Sequence, residues 1–346
     1  MAQRDFPQLV VSQPSRISYA FIVATLVFVG WLQLATPLLA TLFAYLALTR
    51  LHFLKGRGKW LAIVFFLLLV SAVSYGLAYS INQAVKTLPE IADTAIPSII
   101  QLAREHQIEL PFTDYDSLKD MAFDAVKSQV HYLSSFANFA RGATKQFVFL
   151  ILGVVVAISL FLNPRLELDR EAHAIRNNLY SLCCDEIAAR FKAFYRSFAI
   201  VMGAQVTIAV INTALTAIFV AAVQLPYAVV IIGLTFLCGL LPVIGNLISN
   251  TIIVGIGFTL SPRMALAALV FLVVVHKLEY FLNSKIIGER IRNPLWLTLL
   301  ALVVGEKLMG VPGMILAPVV LNYIRIEASD IEVRVDGPHD SSSPNS

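Results

Sequence analysis

Three short stretches place polar and conformationally special residues inside otherwise apolar segments. In "GLLPVIGNLISN", Pro242 and Gly245 stand beside Asn246, Ser249 and Asn250; "HKLE" carries His276, Lys277 and Glu279; "GEKLMGVPG" carries Gly305, Glu306, Lys307, Gly310 and Gly313. Amides and hydroxyls bind polar solutes or ions, and a carboxylate in an apolar setting can carry a proton because burial and partners move its pKa. Pro and Gly interrupt a helix, and the bare N–H and C=O groups at the interruption add further donors and acceptors. This is the chemistry of a solute or ion path. Enzymatic alternatives lack their signatures: no "HExxH", no "GxSxG" and no P-loop "GxxxxGK[ST]" occurs. Asp169 lies one helical turn before His173, but two ligands are too few for a metal site. No cofactor is expected beyond a coupling ion, H+ or Na+.

The elements that position these residues are membrane helices. The 346-residue chain is 58% hydrophobic and 14% charged, with mean hydropathy +0.76, where soluble domains carry nearer a quarter charged residues. Apolar segments run over 17–35, 37–49, 60–81, 146–162, 198–223, 228–260, 264–282 and 295–324. The fold class is an all-α polytopic membrane protein, with about six full spans plus two broken or re-entrant helical hairpins and an amphipathic helical extramembrane insert. Short alternating strands of a transmembrane barrel are not visible. Arg4 and Arg16 precede the first run, and without a small-residue cleavage site it reads as an uncleaved span. The net charge of +4 is scattered between spans, which suits lipid surfaces rather than nucleic acid. Cys183, Cys184 and Cys238 make no disulfide framework.

The organisation reads as a cytoplasmic tail (1–16), N-terminal spans (17–81), an extramembrane insert (82–145), a span with a cytoplasmic amphipathic helix (146–197), a transport core (198–325) and a disordered tail (326–346). Arg50, Lys55, Arg57 and Lys59 place the second loop in the cytoplasm. The insert has two helical halves, Val85 to Leu102 and Leu118 to Ala137, separated at Pro111. It packs on itself or serves as a subunit-contact arm. In 163–197, Leu168, Ala172, Ile175, Leu179 and Leu182 recur at helical spacing beside Arg165, Arg170, Arg176 and Arg190, as a basic helix on anionic lipid would.

Segment 228–260 as one helix would be about 50 Å long, against a core of about 30 Å. "PVIGN" divides it into limbs of about 21 Å, Ala228–Leu241 and Leu247–Leu260. Segment 295–324 is divided by "GEKLMGVPG" into Leu295–Val304 and Met314–Ile324. One such break alone reads as a kink; two at matching positions read as an inverted repeat whose breaks meet near the midplane. "HKLE" reads equally as interfacial snorkelling with an ion pair.

"GLLPVIGNLISN", "HKLEYFLNSKIIGERIRNPLW" and "GVPGMILAPVVLNYI" resemble the autoinducer-2 exporter (AI-2E) family of bacterial permeases. The resemblance covers 17–325 and is most specific over 236–320. It carries over Pro242, Gly245, Glu279, Gly288, Gly310, Gly313 and Pro318. Asn246 and Ser284 stand where the family often has Pro, and "GEK" is more charged than usual. The resemblance implies a homo-oligomeric, pentameric inner-membrane permease, with members linked to autoinducer-2 export and some to Na+(Li+)/H+ antiport.

The reading is therefore a secondary transporter moving a small polar solute by alternating access through Pro242, Gly245, Asn246, Ser249, Asn250, Glu279, Gly305, Glu306, Lys307, Gly310 and Gly313. Its expected partners are membrane lipid, the solute or a monovalent cation, and further copies of the chain. The alternatives are a Na+(Li+)/H+ antiporter and a non-transporting membrane scaffold. Topology is testable by single-cysteine labelling in a background lacking Cys183, Cys184 and Cys238. Both termini, loop 50–59 and residues 283–294 should be cytoplasmic, with 82–145 and 261–263 outside. External labelling at position 286 would defeat the inverted repeat.

Overall fold

A computed structural model describes residues 8–9, 12–55, 58–105, 107, 136–165, 175, 178–241, 244–287, 294–331 and 333–334. Pro242, Gly288, the Asp169–His173 pair and the second half of the insert lie outside them. The described chain is helical except for β1 (Gln8–Leu9), which pairs antiparallel with β2 (Val333–Arg334), Gln8 opposite Arg334. Five described helical stretches are long and apolar enough to cross a bilayer: Gln13–Trp31, Lys59–Ala84, Lys145–Leu162, Leu179–Val223 and Val311–Ser329. The protein is a multi-pass membrane protein.

The chain divides into two compact units. The first comprises 1–35, 163–198 and 293–346; the second comprises 36–162 and 199–292. In the first unit, α1 (Gln13–Trp31) begins where Ser12 Oγ accepts the Ser15 backbone N–H, with Pro14 in the opening turn. It ends at Gln33, whose positive φ of 54° turns the backbone so that the Leu34 N–H reaches the Val29 carbonyl at 2.9 Å. The second unit holds α2 (Ala35–Lys55), α3 (Lys59–Glu105) and α4 (Phe136–Leu162). Leu48, Ile63, Phe66, Ala157 and Phe161 from these three form one buried cluster. Lipid supplies no hydrophobic drive between helices, so such seams rest on dispersion and shape.

Two boundaries differ from the sequence reading, because the helix does not end where the apolar run does, and α3 goes on through Pro89 and Pro97. Helix α3 continues from its span into the insert as one element of about 70 Å. From Leu179 on, the helix expected over 163–197 and the span expected over 198–223 form one helix, α5 (Leu179–Val223), which contains no proline; 166–174 and 176–177 lie outside the described residues. Asn178 Oδ1 accepts the Ser181 N–H at 2.8 Å and fixes its start. Arg190 does not serve as a lipid-facing base. It pairs with Glu327 and, at 3.1 Å, with Glu186 one turn earlier. Tyr19 OH donates to the same Glu327 at 2.8 Å, and the Arg190 guanidinium lies over the Tyr19 ring at 4.5 Å. Glu327 is buried at the end of a helix that passes the expected tail boundary at 326 and continues to Ser329.

Both divided segments fold back on themselves. Helices α6 (Ala228–Gly239) and α7 (Ile244–Leu260) join Ile231 to Ile253 in one core with Ala268 and Leu272 of α8 (Pro262–Ile287). Helices α9 (Leu295–Met309) and α10 (Val311–Ser329) are longer than the expected limbs and are joined by Gly310 alone. Its φ of 64° and ψ of −149° fall in a region open essentially only to glycine. Either side of it, a Cβ on Gly305 would lie 2.5 Å from the Gly313 carbonyl oxygen, and one on Gly313 would lie 2.0 Å from that of Gly305. The limbs therefore touch backbone to backbone. Gly310→Ala should cost about 1–3 kcal/mol through strain, and Gly313→Ala a similar amount through overpacking. Gly76, with nothing within 4 Å of an added Cβ, is the control. Detergent melting of the three Ala variants checks this: Gly76→Ala should melt no lower than the parent.

Candidate functional site

The second unit contains a polar recess built by four helices, with a cavity volume of about 20 Å³. Helix α5 presents Asn212 and, one turn on, Thr216; α6 presents Thr235; α7 presents Ser249 and Asn250; α8 presents His276 and Glu279 on one face with Leu272 and Val275. Asn212, Thr216, Thr235 and Ser249 are all buried, and Glu279 is half-buried. Polar side chains at such positions are costly in membrane helices and mark function by default.

Asn212 Nδ2 donates to Glu279 Oε2 at 3.2 Å. A carboxylate only accepts, so this orientation of the amide is the one that bonds. It leaves Asn212 Oδ1 buried without a partner, and Thr235 Oγ1 is in the same state. A buried polar atom left unpaired costs roughly 1–3 kcal/mol, which water or a ligand can recover. The recess thus offers an amide oxygen and a hydroxyl, beside the Glu279 carboxylate, to a small polar guest.

The break beside it is closed by its neighbours. Gln205 Nε2 of α5 donates at 2.7 Å to the Gly239 carbonyl, one of the four that the end of α6 leaves open. Leu241 N–H returns to the Cys238 carbonyl at 2.9 Å. A Cβ on Gly245 would lie 1.7 Å from that same Cys238 oxygen. Gly245 is required by this approach alone, since Gly310 is the one described glycine at positive φ.

Of the residues read from sequence, Ser249, Asn250 and Glu279 come together in the recess, with Gly245 one turn before Ser249 on α7. Asn246 lies in the same limb, its side chain outside the described ones. Gly305, Glu306, Lys307, Gly310 and Gly313 belong to the other unit and do not line the recess. Glu306 and Lys307 do not sit on an irregular turn. They occupy the regular last turn of α9, exposed, about 100° apart around the helix, and form no ion pair among the described residues. Asn212, Thr216 and Thr235 were not read as pathway residues, whereas His276, noted in "HKLE", joins Glu279 in the lining. An amide in the apolar run "VINTALTAIF" is the signal that points to Asn212.

The described helices make a multi-pass membrane protein with a polar recess beside a helix break. The chain belongs to the AI-2E transporter family, whose profile, described as AI-2E family transporter, matches residues 17–327. It is 27% identical over 198 residues to YdbI of Bacillus subtilis (strain 168), a protein to which a transport role is ascribed. That match covers 55% of this chain and 57% of the relative, so the chain spans little more than half of the relative's length.

Gly245→Ala should loosen the α6–α7 hairpin, because the clash is with a carbonyl that no side-chain movement relieves, and Gly245→Val should do so more. A loss of about 1–3 kcal/mol is expected for Ala, read as detergent melting. A Gly245→Val protein as stable as the parent would show that the limbs separate freely.

Proposed function

We propose that this protein is a secondary permease of the bacterial inner membrane. It moves a small polar solute, of the autoinducer-2 type, by alternating access through the α5–α8 recess, and works as a homo-oligomer. The observation that carries this reading is the recess wall itself. Asn212 and Glu279 are bonded across two helices, and two buried oxygen atoms, Asn212 Oδ1 and Thr235 Oγ1, stand without partners in the wall. The break at Gly239–Gly245 borders that wall and gives it a joint about which α6 and α7 can re-pack. Family membership supports transport; the solute and the mechanism are the proposal.

A second reading, Na+(Li+)/H+ antiport, is favoured by Glu279, a carboxylate on the recess wall beside His276. Proteoliposomes separate the two. Asn212→Leu and Glu279→Gln should each lower flux at least about tenfold, equivalent to about 1.4 kcal/mol, in protein with unchanged elution volume and melting. Solute efflux that survives Glu279→Gln without its pH dependence favours a proton-coupled solute carrier. Loss of Na+- or Li+-driven proton movement, with no solute flux in the parent, favours the antiporter. Parent-level flux in both variants would remove the recess from the path, and a parent silent for every solute and ion would leave the scaffold.

A further inference from the structure

The tip of the α9–α10 hairpin lies beside the end of α1, not beside its middle. Helix α1 is long and apolar enough to cross a bilayer, and its midpoint is Ile22. The end of the Met309 side chain rests on Gly30, where an added Cβ would lie 3.1 Å from Met309 Cε. Towards the other end, Glu327 of α10 accepts the Tyr19 hydroxyl at 2.8 Å. Helix α10 therefore descends antiparallel to α1, and it is itself long and apolar enough to span. Gly30 lies about 12 Å along the helix from Ile22. The next residue, Trp31, is 76% exposed, and aromatic rings of this kind mark the membrane–water boundary. Trp296, also exposed, stands at the opposite end of α9. Between these two levels α9 exposes Leu299, Leu300, Val303 and Val304, and its only exposed charges are at the tip.

We propose that the α9–α10 tip is an interfacial anchor. Glu306 and Lys307 project into water and lipid headgroups at the membrane face where α1 ends, with the Lys307 ammonium available to lipid phosphate. The pair then lies at the surface rather than at mid-depth, and it is not part of the cargo site. The hairpin is two thin crossings, which suits a chain that would otherwise hold two charges in hydrocarbon.

The test uses the full chain with Cys183, Cys184 and Cys238 replaced by Ser and a fluorophore on Lys307→Cys, or on Leu308→Cys if the former is not recovered. The protein is placed in phosphatidylcholine–phosphatidylglycerol liposomes containing lipids that carry a quencher on the headgroup or at the acyl-chain end. Leu32→Cys is the reference for the end of α1. Headgroup quenching that dominates at 307, as at 32, is the expected result. Dominant chain-end quenching would return the tip to mid-bilayer, and absence of both would enclose it in protein; either outcome overturns the anchor.

Discussion

Hydrocarbon offers no hydrogen bonds, and most of this structure follows from that constraint. An intact helix satisfies its own backbone, but every interruption opens carbonyls and amides that the chain itself must close. At the first break, Gln205 reaches across from α5 to the Gly239 carbonyl, and Leu241 turns back to Cys238. At the second, whose tip reaches the membrane surface where water is at hand, Gly310 N–H still closes on the Glu306 carbonyl at 2.7 Å. Closing an end so tightly brings backbones together, which is why glycine stands opposite Cys238 and why Gly305 faces Gly313.

The same device has two outcomes. In the first hairpin the helices packed around the break carry Asn212, Thr216, Thr235 and Glu279, so the space beside it is polar and partly open. In the second, Leu302, Met314 and Ala317 fill the seam, and the contact is apolar. A helix break is thus permissive. What makes one of them a candidate for cargo is the amide and carboxylate that neighbouring helices bring to it.

How much of this was legible in the sequence depended on the kind of signal each residue leaves. Gly245 and Gly310 were readable as break residues because Pro and Gly act locally, and Ser249, Asn250 and Glu279 because they sit near a break or in a charged motif. Asn212 and Thr235 were not, since their significance comes from packing against α7 and α8 across long stretches of chain. Glu327 was the hardest. It falls where apolar patterning fades into a polar tail, yet Tyr19 and Arg190 hold it buried in α10. Helix lengths were misjudged for a related reason: α5 and α9 continue past the point where hydrophobicity drops, because nothing there breaks the backbone.

The junction at Glu327 has a consequence for the timing of synthesis. Tyr19 and its carboxylate partner are separated by 308 residues, so at about 5–20 residues per second α1 leaves the ribosome roughly 15–60 s before α10 exists. Throughout that interval Tyr19 and Arg190 have no Glu327 to meet, while the α2–α4 core can already assemble from contiguous chain. The first unit, gathered from the start, middle and end of the sequence, is therefore the last to close. A nascent chain stalled before α10 would present the membrane's quality-control proteases with an Arg190 held by Glu186 alone and an orphaned first helix.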